Sequence, residues 1–206
     1  MEVIRQDILL GKLTPGQKLV VADLKEHYQV GASPIREALV QLSWEKYVKF
    51  APQKGCWVAP VSVEELTDLF NAHHLISHEL LKKAILQGDE AWELNILTSY
   101  HKLSRLNPAS DNADLSEWEL RHGDFHIAIL SGSSPVLLDL YLDIYEQLKR
   151  YRHIWLSQSR NSEKRYHDGG EHEALMKAVL DRDVELAQTI MNEHSKNAVS
   201  SVSPYL

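Results

Sequence analysis

The chain has 206 residues, of which 44% are hydrophobic and 25% charged, with a formal net charge of −7. That length suits one large or two small domains, and the mixture is ordinary for a globular fold in water. No apolar run approaches the ~20 residues that span a bilayer, no signal-peptide pattern opens the chain, and a single cysteine, Cys56, excludes an internal disulfide. A cytoplasmic protein with no membrane partner is expected. The charge is uneven. Residues 1–60 hold eight Lys/Arg against six Asp/Glu, and residues 61–206 hold fourteen against twenty-three. A slightly basic head on an acidic body predicts two domains, 1–60 and 61–206, with different partners.

Met1 to Leu10 reads as a short helix with Val3, Ile4, Ile8 and Leu9 on its apolar side, stopped by Gly11. Pro15-Gly16 signals a turn, and Val20-Val21 reads either as a short strand or as the lead into the next helix. A second helix covers Ala22 to Tyr28. After the tight link Val30-Gly31-Ala32, Ser33 is the expected N-cap of a third helix, with Pro34 at its first position and Glu37 near the place that closes a capping box. Tyr47–Ala51 and Cys56–Ala59, joined by Pro52-Gln53-Lys54-Gly55, read as a hairpin. Helix, helix, tight turn, helix and hairpin is the order of a winged helix-turn-helix, whose third helix enters the major groove of DNA. The plainer reading is a small helical domain with a hairpin attached.

From Val61 the pattern is helical throughout. Six segments follow, the first capped by Ser62 and ending at Gly88, the fourth running from Val136 to about Arg160 with Tyr141, Tyr145, Tyr151 and Trp155 along it. The tail, Ser200 to Leu206, reads as frayed. The expected fold is therefore mainly α: an N-terminal winged helix-turn-helix and a C-terminal antiparallel bundle of six or seven helices. His122 and His126 stand four apart on one helix face and so can share one metal ion. His172 and His194 lie in later helices, and four imidazoles could meet in the bundle core. A chain with eleven histidines can also show such a pair by chance.

Leu13-x-Pro15-Gly16-x-x-Leu19, Ser33-Pro34-Ile35-Arg36-Glu37-Ala38-Leu39-x-x-Leu42 and Gly55-x-x-Val58 closely resemble the head of GntR-family transcription regulators. The helical remainder resembles the FadR branch, which carries the FCD ligand-binding domain, through Phe125-His126, Glu171-His172 with Ala178 and Asp181-Arg182-Asp183, and His194. The resemblance implies a repressor that binds a palindromic operator as a homodimer, with a divalent metal held by one Asp and three His beside a pocket for a small organic acid. His126, His172 and His194 match the three histidines. The Asp position holds His122, and an all-nitrogen set favours Zn or Ni over Mg or Mn. Trp118-Glu-Leu-Arg-His and Tyr151-Arg-x-Ile-Trp-Leu resemble segments of regulators of short-dicarboxylate and amino-acid-derived acid catabolism, so a dicarboxylate is one expected effector among small organic acids.

Other departures redirect the expected contacts. Gly31 and Ala32 replace the usual Ser-Arg pair, so DNA contacts must lean on Ser33, Arg36, Gln41 and Lys54. Arg36 suits bidentate contact with guanine, or else a salt bridge within its helix. Gly55 lets the wing backbone approach DNA. His73 stands where many relatives have an arginine, which leaves Arg152 as the candidate anchor for a carboxylate, with Tyr151 and Trp155 as walls. The plainer readings are an exposed Arg152 and a Leu/Tyr stripe that serves as core or dimer interface. A metallohydrolase built on a helical bundle, with Glu171 or Glu119 as base, is the alternative from another class.

Overall fold

The computed structural model describes residues 1–108, 110, 114–159 and 170–206, the side chains of 155–159 excepted. Among them are nine α-helices and a three-stranded sheet. The head contains α1 (Glu2–Leu9), β1 (Lys18–Leu19), α2 (Val21–Tyr28), α3 (Ala32–Trp44), β2 (Val48–Ala51) and β3 (Gly55–Val58). Strand β3 is central and pairs antiparallel with both neighbours.

On α3 the buried residues are Ile35, Ala38, Leu39 and Leu42, the i, i+3, i+4, i+7 spacing of one helix face. They pack with Ile4, Ile8, Leu24 and the inner sheet residues Leu19, Cys56 and Val58. Asp7 is buried among them, accepting a 2.7 Å bond from the Tyr28 hydroxyl and a 2.8 Å bond from Lys12, and so ties α1 to α2.

Two local expectations change. Helix α3 starts one residue before Ser33, with Gly31 in the cap position and no side-chain cap bond. The Ser33 hydroxyl instead donates to Glu37 at 3.2 Å. Pro34 still falls in the first turn, where its missing N–H costs nothing. Of the two readings of Val20-Val21, the lead into the next helix holds, with Val20 the cap residue of α2, and a short strand forms just before it at Lys18–Leu19.

The bundle holds α4 (Val63–Gln87), α5 (Glu90–Ser104), α6 (Leu115–Leu130), α7 (Pro135–Ser159), α8 (Glu171–Leu180) and α9 (Val184–Val202), followed by a 3-10 turn, Ser203–Tyr205. Ser62, Asp89, Asp114 and Asp183 each accept a bond from a first-turn N–H of the helix they start. Such caps fix where a helix begins, at about 1 kcal/mol each. Helix α7 lies along α4, with the Tyr151 hydroxyl near the start of α4 and His73 of α4 packed on Tyr141. The tail is not frayed. Val202 is buried, and Pro204 and Tyr205 line the same cavity as the bundle histidines.

The junction between head and bundle is polar. The Tyr151 hydroxyl donates to Glu65 and accepts from the Ser62 N–H at 3.3 Å. Arg150 donates at 3.4 Å to the Pro60 carbonyl and to Glu65. Among the described residues, no helix is long and apolar enough to cross a membrane.

Candidate metal centre and effector cavity

Helix α6 contributes His122 and His126, α8 His172 and α9 His194, and one ring nitrogen from each lies within 4.8 Å of all the others. His126 Nε2 lies 3.2 Å from His122 Nε2 and 3.2 Å from His172 Nε2. Tetrahedral Zn–N bonds of 2.0–2.1 Å would set neighbouring nitrogens roughly 3.3–3.4 Å apart, which these two spacings approach.

The outer nitrogens are also arranged. His194 Nδ1 lies 2.7 Å from Glu171, whose other oxygen accepts a 2.6 Å bond from Asn197. This leaves Nε2 of His194 for the cluster. His122 Nδ1 lies 3.3 Å from the Tyr145 hydroxyl, which in turn accepts a 2.8 Å bond from Arg152. With its proton on Nδ1, His122 donates to the Tyr145 hydroxyl and Nε2 keeps its lone pair, the orientation a metal-bound histidine needs. With Nδ1 bare, it accepts from Arg152, whose Nη1 also lies 3.3 Å away. Gly123 makes the Tyr145 contact possible. A Cβ there would stand 3.0 Å from the Tyr145 hydroxyl, tight enough that the tyrosine would have to shift. Trp118 stacks on His122, with ring centroids 4.7 Å apart.

Burial holds His122 and His126 well below the ordinary imidazole value, and neighbouring histidines and Arg152 push them further down. His73 is lowered to about 3, first by burial and then by Arg152. All three are neutral near pH 7, the form that ligates. Burial also opposes the charge on Arg152, but Glu119 and Tyr145 more than offset it and keep the guanidinium protonated.

Beside the cluster is a cavity of about 560 Å³, lined by Phe70, His73, Tyr141, Tyr145, Tyr151, Arg152 and the C-terminal Ser200 to Tyr205 face among others. Arg152 is not an exposed arginine. Its side chain is 15% exposed and pairs with Glu119 at 2.7 Å. Tyr151 reaches the cavity wall, although its hydroxyl is committed to Glu65 and Ser62. His73 lies against Tyr141 with its Nδ1 buried and unpartnered. The tyrosine stripe of α7 is both core and cavity wall. Trp155 falls outside the residues whose side chains are described.

In the head, Ser33, Arg36 and Gln41 are exposed on α3, and Lys54 and Gly55 are exposed on the hairpin. Arg36 makes no ion pair within the described residues, so the intrahelical salt bridge is not formed. Gly55 has φ +122°, a conformation that favours glycine.

Residues 1–58 match the family described as bacterial regulatory proteins, gntR family, and residues 68–197 match the FCD domain. The chain belongs to the GntR family and carries an FCD domain. It is 38% identical over 195 residues to the HTH-type transcriptional repressor GlaR of Escherichia coli K12, covering 93% of this chain and 88% of that one. It is 33% identical over 206 residues to the HTH-type transcriptional regulator BphR of Paraburkholderia xenovorans LB400, covering 98% and 83%. The solved structure of E. coli McbR/YncC shares the fold, with a TM-score of 0.74 at 17% identity over 98% of this chain and 94% of that one.

This GntR-family protein is thus a transcription regulator and not an enzyme, which removes the metallohydrolase alternative. Sequence reasoning misassigned or passed over several of its cavity residues. Tyr145 is a functional neighbour of His122 hidden in an apolar stripe. Glu171 lies against His194, and Glu119, outside the cavity, pairs with Arg152. Ser201 and Tyr205 lie in the supposed frayed end. A signal for the last was present: Met191, Ser195 and Val202 continue one buried face of α9 at i, i+4, i+11.

Proposed function

We propose that this regulator is a ligand-responsive repressor whose residues 1–60 bind a palindromic operator as a homodimer. Residues 61–206 would hold a divalent metal beside a small organic acid. The observation that carries this reading is the convergence of four imidazoles, three of which line a cavity that also contains a buried arginine. His122, His126, His172 and His194 are the ligands, and their all-nitrogen set suits Zn or Ni. The bound metal supplies a fixed positive charge that can take a carboxylate. Arg152 holds a second anionic group, and His73 and Tyr151 shape the wall, so a dicarboxylate fits best. The repressor sign follows the name of the relative GlaR.

Arg152 also offers a route to the head. In this structure it is shared with Glu119, and Glu119 lines the cleft where Arg5, Glu45 and Tyr47 of the head meet the bundle. An effector anion on Arg152 competes with Glu119 and changes that junction. Binding one arrangement better than the other shifts the population and alters operator affinity. At the operator, Arg36 would contact guanine, with Ser33, Gln41, Lys54 and Gly55 supporting.

Plasma mass spectrometry of untagged protein, wild type and His172→Ala, tests the site. About one Zn or Ni per chain is expected in wild type, with loss in the variant. Wild-type protein that takes up no metal after soaking would overturn the metal reading and leave the histidines as a polar pocket.

A further inference from the structure

The outer face of the head's sheet carries a row of residues that neither the core nor α3 uses. Lys18 of β1 and Lys49 of β2 each stand in register with Trp57 of the central strand. Residues paired directly across antiparallel strands project from one face, so Lys18, Trp57 and Lys49 form a line across the sheet. The other face is committed to the core through Leu19, Cys56 and Val58.

Both lysines are exposed and Trp57 is half-buried. The Lys18 ammonium lies 5.7 Å from the centre of the Trp57 ring, a cation–π distance that holds it over the row. Neither lysine is paired with a carboxylate among the described residues. The row also runs into the hairpin tip. A Cβ on Gly55 would stand 3.5 Å from Lys18 Cε and 3.7 Å from Trp57 Cη2, and exposed Lys54 comes next.

We propose that the Lys18–Trp57–Lys49 row is a sequence-independent seat for the sugar-phosphate backbone of DNA beside the groove that α3 enters. The proposal rests on the operator-binding reading. Its argument is charge. Phosphate neutralisation supplies much of the affinity of DNA-binding proteins, yet α3 presents a single cation, Arg36, next to the acid Glu37. Elsewhere in the head, Arg5 is tied to Glu2 and Glu45 and Lys12 to Asp7, while Lys25 of α2 and Lys46 after α3 are exposed cations outside the row. Of the unpaired lysines of the row, Lys49 lies on the hairpin that flanks the recognition helix and Lys18 on β1 beside it, so a DNA strand touching the tip would meet both on one face of the sheet.

The test uses full-length protein, a duplex it selects from a random-sequence pool, and a scrambled duplex of equal length. Anisotropy gives the slope of log affinity against log salt. Lys18→Gln/Lys49→Gln should lower that slope by nearly two, at about 0.9 per phosphate contact, and weaken both duplexes by a similar factor, on the order of 30-fold near physiological salt. Each single substitution should remove about half the slope change, and Lys18→Arg/Lys49→Arg should restore it. An unchanged slope in a glutamine variant that melts like wild type overturns the proposal, leaving the lysines as guards of the sheet edges. Wild type that does not distinguish the duplexes would sink the operator reading instead. The slope difference between wild type and variant would still decide the row.

Discussion

In the head, Asp7 is buried with both oxygens occupied, by Tyr28 and Lys12. In the bundle, polar groups are buried in quantity and several have no partner: Nδ1 of His73 and His126, one oxygen of Glu119, and the Tyr141 hydroxyl. A buried donor or acceptor without a partner costs roughly 1–3 kcal/mol. In the head Asp7 ties α1 to α2, and the buried Tyr47 hydroxyl is the unpartnered atom there among the described residues. The bundle accepts unpaired polar atoms around a cavity, which is where a ligand would be expected to complete them.

The comparison breaks most directly at the centre of the cluster. His126 is the imidazole nearest to two others, so His126→Ala should weaken Zn binding by more than about 100-fold, beyond the range for losing an outer-shell partner. Competition with a zinc-chelating dye reads this, and wild-type affinity would remove His126 from the ligand set. Glu171→Gln should cost about 10–100-fold in the same assay, because it disturbs only the orientation of His194.

Glu119→Gln sharpens the role of the junction. The variant should bind operator, and should bind straight-chain dicarboxylates from malonate to adipate at least as well as wild type. The effect of the acid on operator affinity, typically 1–3 kcal/mol in coupled sites, should shrink or vanish. Full coupling in that variant would place the route elsewhere.

The smallest expected effect is in the head. Burial pushes the Asp7 carboxyl up, but the bonds from Lys12 and Tyr28 outweigh burial and hold it below its ordinary value. A carboxyl lowered by folding stabilises the fold above the unfolded value, near 4, and loses that contribution as pH falls through the folded value. Asp7→Asn should therefore cost about 1–2 kcal/mol at pH 7, most of it from the Tyr28 bond, since exposed Lys12 is screened by solvent. In urea titrations the wild type should lose its advantage below about pH 4. A constant difference from pH 7 to pH 3 would show that the charge is irrelevant.

Much of this was legible because it depends on local order. Ser62, Asp89, Asp114 and Asp183 announce helix starts through bonds to N–H groups two or three residues on. The start of α3 was less legible, since Gly31 and Ser33 are both acceptable near a helix N-terminus and only the packed chain chooses between them. Arg152 illustrates the harder problem. On α7 alone it is one cation on an amphipathic helix. Its burial and its partner depend on Glu119, 33 residues away on α6.

The sequence by itself determined the periodicities, most helix starts, the turn glycines and the His122–His126 pair, because each is set by residues within a turn or two of one another, while His172 and His194 were legible through the family motifs they stand in. Tertiary structure alone decided that those four nitrogens converge, that Gly123 admits Tyr145 to His122, that the C-terminal turn closes a cavity, and that two lysines flank one tryptophan. Each of these is a distance between elements remote in sequence, fixed by how helix faces and strand registers pack and invisible to any local pattern.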